Sequence, residues 1–160
     1  MQKITPFLWF DHQAETAAQH YVSVFPNSRI LRIDRYDVAS AQAAGRPEGS
    51  VMTVAFDLDG LGFVALNGGP VYRINEAISF VVDCASQQEL DHIWDRLADG
   101  GEPLQCGWLK DRFGVTWQIV PSEMHALLTH ADPARRGRVW KCMLGMVKLD
   151  IETLRRASAG

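Results

Sequence analysis

Cysteine is scarce in this chain. Cys84, Cys106 and Cys142 are its three cysteines, widely spaced and outside any metal-binding or redox motif. That count excludes a disulfide-framed fold, and we expect buried thiols in a reducing cytoplasm. Long apolar runs are missing: none approaches the ~20 residues of a membrane-spanning helix. Asp11 and Glu15 come too early for a secretory leader, so neither export nor membrane insertion is expected. An excess of positive charge is missing too. Lys and Arg total 16 against 19 Asp and Glu, a formal charge of −3, and the sequence pI is about 5.9. Such a balance gives no field to attract nucleic acid or an acidic membrane, and neither is expected as a partner. The local run Arg135-Arg136-Gly137-Arg138 suits the solvated start of a helix. The five histidines, His12, His20, His92, His125 and His130, form no H-x-H or H-E-x-x-H pattern.

What the chain does contain is one pattern written twice. Phe7-Leu8-Trp9-Phe10-Asp11 precedes a helical run over residues 14–25, and Ser79-Phe80-Val81-Val82-Asp83 precedes another over 87–97. The separation is 72 residues at both ends, from Asp11 to Asp83 and from Phe25 to Leu97. At that offset Leu8 meets Phe80, Phe10 meets Val82, Tyr21 meets Ile93 and Ala18 meets Leu90. A duplicated strand–Asp–helix unit constrains the fold strongly. The 47% hydrophobic and 22% charged content suits one globular domain over 1–160.

Periodicity fills in the rest. Alternation predicts strands over 4–10, 29–36, 51–58 and 61–66, with Asp59-Gly60 as a hairpin turn between the last two. The stretch 39–50, rich in Ala, Gly and Pro, reads as a loop. In the second half, strands are expected over 77–82, 103–107, 108–110 and 115–120, with Asp111-Arg112-Phe113-Gly114 as the second hairpin. Helical spacing recurs over 134–146 and 151–157, where Asp132-Pro133 and Asp150 are start signals. The class is therefore α+β: two βαβββ modules, 1–70 and 75–121, with a helical tail over 130–158. Each module has one helix to cover one face of its strands, so the uncovered faces are expected to meet across a cleft. Alternation assigns Phe7, Trp9, Phe63, Asn67, Ser79 and Gln118 to that cleft. Such a set could hold a small organic ligand, or it could fill the space between two sheets.

The words of the sequence then show a family likeness. Ile4-Thr5-Pro6-Phe7-Leu8-Trp9-Phe10-Asp11, Phe25-Pro26-Asn27-Ser28, Phe63-Val64-Ala65-Leu66-Asn67-Gly68-Gly69-Pro70 and the long segment from Gln105-Cys106-Gly107-Trp108 through Thr116-Trp117-Gln118-Ile119 resemble PhnB-like proteins of the vicinal-oxygen-chelate superfamily. That superfamily includes glyoxalase I, extradiol dioxygenases and bleomycin-resistance proteins. The resemblance implies a homodimer, and metal-dependent relatives carry His or Glu ligands on these strands. The strand that would begin with a ligand His has Ala77 here, and the strand that would carry a ligand Glu has Gln118. A methyl and a neutral amide are poor donors for a divalent ion, so no metal cofactor is expected. Members often carry the label 3-demethylubiquinone-9 3-methyltransferase. S-adenosylmethionine would call for a Gly-rich turn that opens a helix, whereas Gly68-Gly69-Pro70 leads into a polar loop.

Single residues have plainer roles. Cys106 reads as a structural thiol, and Glu76 as an exposed loop acid that would act as a base only if turned inward. Asp11 and Asp83 are expected near helix starts, and His20 and His92 on equivalent solvated helix faces. The function expected is binding of a small organic ligand, with or without metal-independent catalysis. A metal-dependent lyase, isomerase or dioxygenase and a non-catalytic dimeric interaction module stand as alternatives.

Overall fold

The computed structural model describes residues 2–160, and the chain divides into two compact units, 1–74 and 75–160. In the first unit the order is β1 (Phe7–Phe10), α1 (Ala14–Val24), β2 (Arg29–Arg35), α2 (Val38–Ala44), β3 (Val51–Leu58) and β4 (Leu61–Asn67). The strands form one sheet in the order β1-β4-β3-β2, with β1 parallel to β4 and the other pairs antiparallel. The hairpin between β3 and β4 turns on Asp59 and Gly60, with φ of 47° and 89°, the left-handed pair that matches strand twist. Helix α1 covers one face. Its buried Ala14, Ala17 and Ala18 let the helix axis come close to the sheet, and Tyr21 and Val24 fill the remaining space. Beneath it lie Phe10, Val54, Phe56, Phe63 and Ala65, all buried, with Phe56 and Phe63 stacked at 5.4 Å.

Helix α2 lies where a loop was expected. Asp37 and Ser40 satisfy each other's backbone N–H groups at its start, and Gly45 ends it in the left-handed region at φ 62°. Alanine's high helix propensity, set between those two signals, outweighs the loop-like composition around it.

Asn67 fastens this unit together. Its Oδ1 accepts the N–H of Ala14 at 2.8 Å, its Nδ2 donates to the carbonyl of Val51 at 3.0 Å, and its own carbonyl accepts the hydroxyl of Tyr36 at 2.7 Å. The α1 cap residue, Gln13, makes no side-chain capping bond, so Asn67 supplies that bond from across the sheet.

In the second unit the order is β5 (Ser79–Cys84), α3 (Gln87–Ala98), β6 (Glu102–Pro103), β7 (Trp108–Lys110), β8 (Thr116–Pro121), α4 (Met124–Leu128), α5 (Pro133–Leu144) and α6 (Ile151–Ala159). The sheet order is β5-β8-β7-β6. Leu90, Ile93, Trp94 and Leu97 of α3 are buried against it, and each contributes about 1.5–3 kcal/mol on aliphatic transfer values. The β7–β8 turn is held by buried Asp111, which accepts from the N–H groups of Phe113 and Val115 and from Trp117 Nε1 at 2.8–3.0 Å.

The tail is strapped to this unit. Cys106 and Gly107 donate to the carbonyls of Met146 and Val147, and Lys148 pairs with Asp91 and Asp95 of α3. The arginines of α5 do more than meet solvent, although Arg138 is exposed. Arg135 and Arg138 donate to the carbonyls of Ala157 and Ser158, satisfying the C-terminal end of α6. Among the described residues no helix is long and apolar enough to cross a membrane.

Replacing Asn67 with Leu would leave the N–H of Ala14 and the carbonyl of Val51 without their partners. We expect it to destabilise the fold by about 2–4 kcal/mol in chemical denaturation. A change below half a kcal/mol would refute the fastening role.

Candidate functional site

Each sheet has one face under its helix and one face that the helix leaves uncovered. Cross-strand partners share a face, so the register decides which side chains belong to which. In the first unit Phe7 pairs with Val64 and Trp9 with Leu66, whereas Leu8 pairs with Ala65 and Phe10 with Asn67. Phe7, Trp9, Val64 and Leu66 therefore share the uncovered face. Phe63 and Asn67 do not. They lie on the α1 side with Phe56 and Phe10, which corrects their assignment to the ligand face. The cause is a register one residue away from the assumed one, and it flips the whole of β4.

Trp9 is the best-fixed aromatic on this face. Its Nε1 donates to the carbonyl of Gly69 at 2.8 Å, and Tyr72 meets it edge-on at 5.0 Å. A Cβ at Gly68 would come within 2.3 Å of the Trp9 ring, so glycine is required there. The Gly68–Gly69 turn is thus covered by an indole and is followed by a loop, then β5. It does not fit a nucleotide-type cradle for S-adenosylmethionine. Phe7 is 59% exposed. Toward β2 the face becomes polar: Asp34 accepts from Arg32 and from Thr53, and Arg32 holds its carboxyl below the usual range.

In the second unit the register draws two rows across the uncovered face. One runs Glu102, Lys110, Thr116, Ser79 and the next runs Trp108, Gln118, Val81. Ser79 and Gln118 touch: Gln118 Nε2 donates to Ser79 Oγ at 2.8 Å. Thr116 is fully buried, and its Oγ1 has no hydrogen-bond partner. Lys110 pairs with Glu76 at 2.6 Å and with Glu102 at 3.2 Å. The Lys110 ammonium pulls the Glu76 carboxyl below its usual range, and the two carboxylates raise Lys110. Glu76 is thus exposed and engaged by a lysine, an unfavourable state for a general base.

Other candidates resolve into structure. Cys106 has φ 60° in the turn before β7 and is half-buried. Burial, with Glu89 and Asp83 nearby, pushes the Cys84 thiol up to about 12. Asp11 does not cap α1; its carboxylate faces His12 at 3.3 Å and Arg46 at 3.7 Å. The α3 start is capped by Ser86, with Glu89 accepting the N–H of Ala85. His20 is half-buried whereas His92 is exposed, so their surroundings differ despite the repeat. A cavity of about 250 Å³ at the starts of α3 and α6 is lined by Ser86, Gln87, Asp150, Ile151 and Arg155. Its polar groups already serve as caps and braces within the tail. Among the described residues no group of three His, Cys, Asp or Glu side chains is placed to hold a metal ion, and Ala77, before β5, has no donor to offer.

A family profile described as 3-demethylubiquinone-9 3-methyltransferase matches residues 2–120. A solved Bacillus cereus structure, described as a putative 3-demethylubiquinone-9 3-methyltransferase and PhnB protein, is 34% identical. The match covers 75% of this chain and 99% of that one, at a TM-score of 0.66. A Pseudomonas aeruginosa protein shares the fold at 19% identity and a TM-score of 0.58, over 73% of this chain and 95% of its own. No functionally curated protein matches the chain. Two βαβββ units define the vicinal-oxygen-chelate class. Within it the chain belongs to the PhnB-like family described as 3-demethylubiquinone-9 3-methyltransferase.

Two measurements test the electrostatics. A carboxyl whose folded pKa is depressed adds stability at neutral pH, and that stability is lost as pH falls through the folded value. Carbon-detected NMR should place the Glu76 midpoint below 4.5, its unperturbed value; a midpoint at or above it would contradict the Lys110 contact. Cys84 should resist alkylation at pH 8 in the folded protein, because almost none of it is thiolate there. Labelling as fast as in the unfolded chain would contradict its burial.

Proposed function

We propose that this protein binds a small organic ligand on the sheet faces its helices leave uncovered, without a tightly held metal ion. The observation that carries the proposal is the Gln118–Ser79 pair. An amide stands where the resemblance would place a ligand Glu in metal-dependent relatives, half-buried and side by side with a hydroxyl. Amide and hydroxyl groups orient an organic molecule by hydrogen bonds but bind a hard cation weakly. On the second sheet Trp108, across from Gln118, adds aromatic contact area of the kind small-molecule sites use; on the first sheet, taken by itself, Trp9 with Tyr72 offers a similar surface.

The proposal does not extend to the methyl transfer in the family's description, because the glycine turn lacks the form such a cofactor needs. A thermal-shift screen of small organic compounds, followed by chemical-shift mapping, tests it: a ligand that binds the native state raises the midpoint. Hits should perturb Ser79, Trp108 and Gln118 or the Trp9 face. Hits confined to the helical faces would refute the site. Protein purified without chelator should carry substoichiometric zinc, manganese, iron or nickel. A full equivalent bound by sheet-face residues would refute the metal-free reading.

The proposal includes a second copy of the chain as partner. Trp140 and Leu144 on α5, and Val147 beyond it, are 45%, 61% and 40% exposed. That much exposed apolar surface on one short segment favours a covered state. Light scattering at micromolar concentration should give twice the mass of one chain; a monomer would contradict it.

A further inference from the structure

We propose that the second sheet's uncovered face selects uncharged, planar carbonyl compounds of the aromatic-amide type and rejects carboxylates. The proposal presupposes ligand binding at this face and narrows the ligand's chemistry. Three observations carry it.

The first is hydrogen-bond capacity. Gln118 gives one N–H to Ser79, which leaves its Oε1 acceptor and its second N–H for another partner. Ser79 accepts that bond and retains its own O–H to donate. An acceptor and donors that sit side by side complement a carboxamide, which carries both. A carboxylate carries only acceptors and would set an oxygen against Gln118 Oε1. Thr116, beside Ser79 in the same row, has a buried hydroxyl without a partner, so the floor at this point is polar.

The second is charge. The only cation in the two rows is Lys110, and it is held between Glu76 and Glu102. That trio carries a formal −1, and Asp83 lies two residues beyond Val81 on the same face of β5. An anionic ligand would meet net repulsion here, although a lone lysine in the sequence suggests the opposite. The third is shape. Trp108 lies directly across from Gln118 and is half-buried, and Val81 on the other flank is 57% exposed. A flat ring can lie against the indole while its amide reaches Gln118.

Benzamide and benzoate are matched probes, alike in size and different in charge and donor capacity. Titrated into the full chain under NMR, benzamide should move the side-chain amide signals of Gln118 and the indole signal of Trp108. Benzoate should bind on the order of fivefold more weakly or worse, as expected for one unit of surface repulsion. Gln118→Leu should weaken benzamide binding and narrow its preference over benzoate, the remainder being the repulsion from Glu76, Glu102 and Asp83, which this change leaves in place. The double change Glu76→Gln with Glu102→Gln frees Lys110 and reverses the local sign, so it should bring benzoate to at least parity. Both variants are first checked for an unchanged thermal midpoint, and the exposed double variant decides the matter if Gln118→Leu is unstable. Benzoate binding as tight as benzamide in the unmodified chain would overturn the selectivity but leave ligand binding in place. Failure of benzamide and of every screened compound to perturb this face would overturn both.

Discussion

One helix per sheet is the constraint from which the rest follows. A four-stranded sheet has two faces, and in each unit one helix, α1 or α3, packs against one of them. Every side chain on β1 to β8 is therefore sorted by strand alternation into helix-covered or uncovered. The covered faces are saturated with apolar groups: Phe56, Phe63 and Ala65 under α1, and Leu109, Trp117 and Ile119 under α3. Selection for packing operates on those positions. The uncovered faces carry aromatic, amide and charged groups that packing does not demand, and the proposed ligand site lies among them.

The two units meet the same problem with different parts. A helix beginning just after an edge strand has unsatisfied N–H groups. In the second unit Ser86 and Glu89 satisfy them locally. In the first, Ala14 and Gln13 cannot, and Asn67 reaches across from β4 instead. The register puts Asn67 beside Phe10, and Ile119 holds the matching place beside Val82. A polar residue in one copy and an apolar one in the other follow from where the cap is located. The polar character of Asn67 is thus architectural, although an amide at the end of a strand resembles a ligand contact.

That case shows what the sequence could and could not tell. The repeat, the helices α1 and α3 and the Asp59–Gly60 hairpin were legible because periodicity and turn chemistry are local properties. The separation of 72 residues held α1 and α3 in step. Helix α2 is hard to read from the sequence because its short alanine run, between the Asp37–Ser40 start and Gly45, sits among glycine and proline. The face of β4 was misassigned because hydrophobicity runs through the whole strand, Leu61 to Leu66, with no polar residue to mark a side. The arginines of α5 looked solvated because sequence cannot show that the end of α6 would lie beside them.

The same sorting explains why Gln118 matters more than its neighbours. Trp117 and Ile119, on either side, are buried under α3 and fix the strand's orientation. Gln118 is left to point the other way, with its rotamer held by Ser79. A carboxylate at this place would lie near Ser79, one row from Lys110, and could recruit either that lysine or a cation. The amide does neither, since it brings no charge and carries donor and acceptor together. Lys110, already held by Glu76 and Glu102, has no anion left to seek. Charge on this face is thus balanced internally, and what it presents outward is hydrogen-bonding geometry beside an indole. Under the proposal, recognition there would rest on direction and shape, which suits a neutral organic ligand.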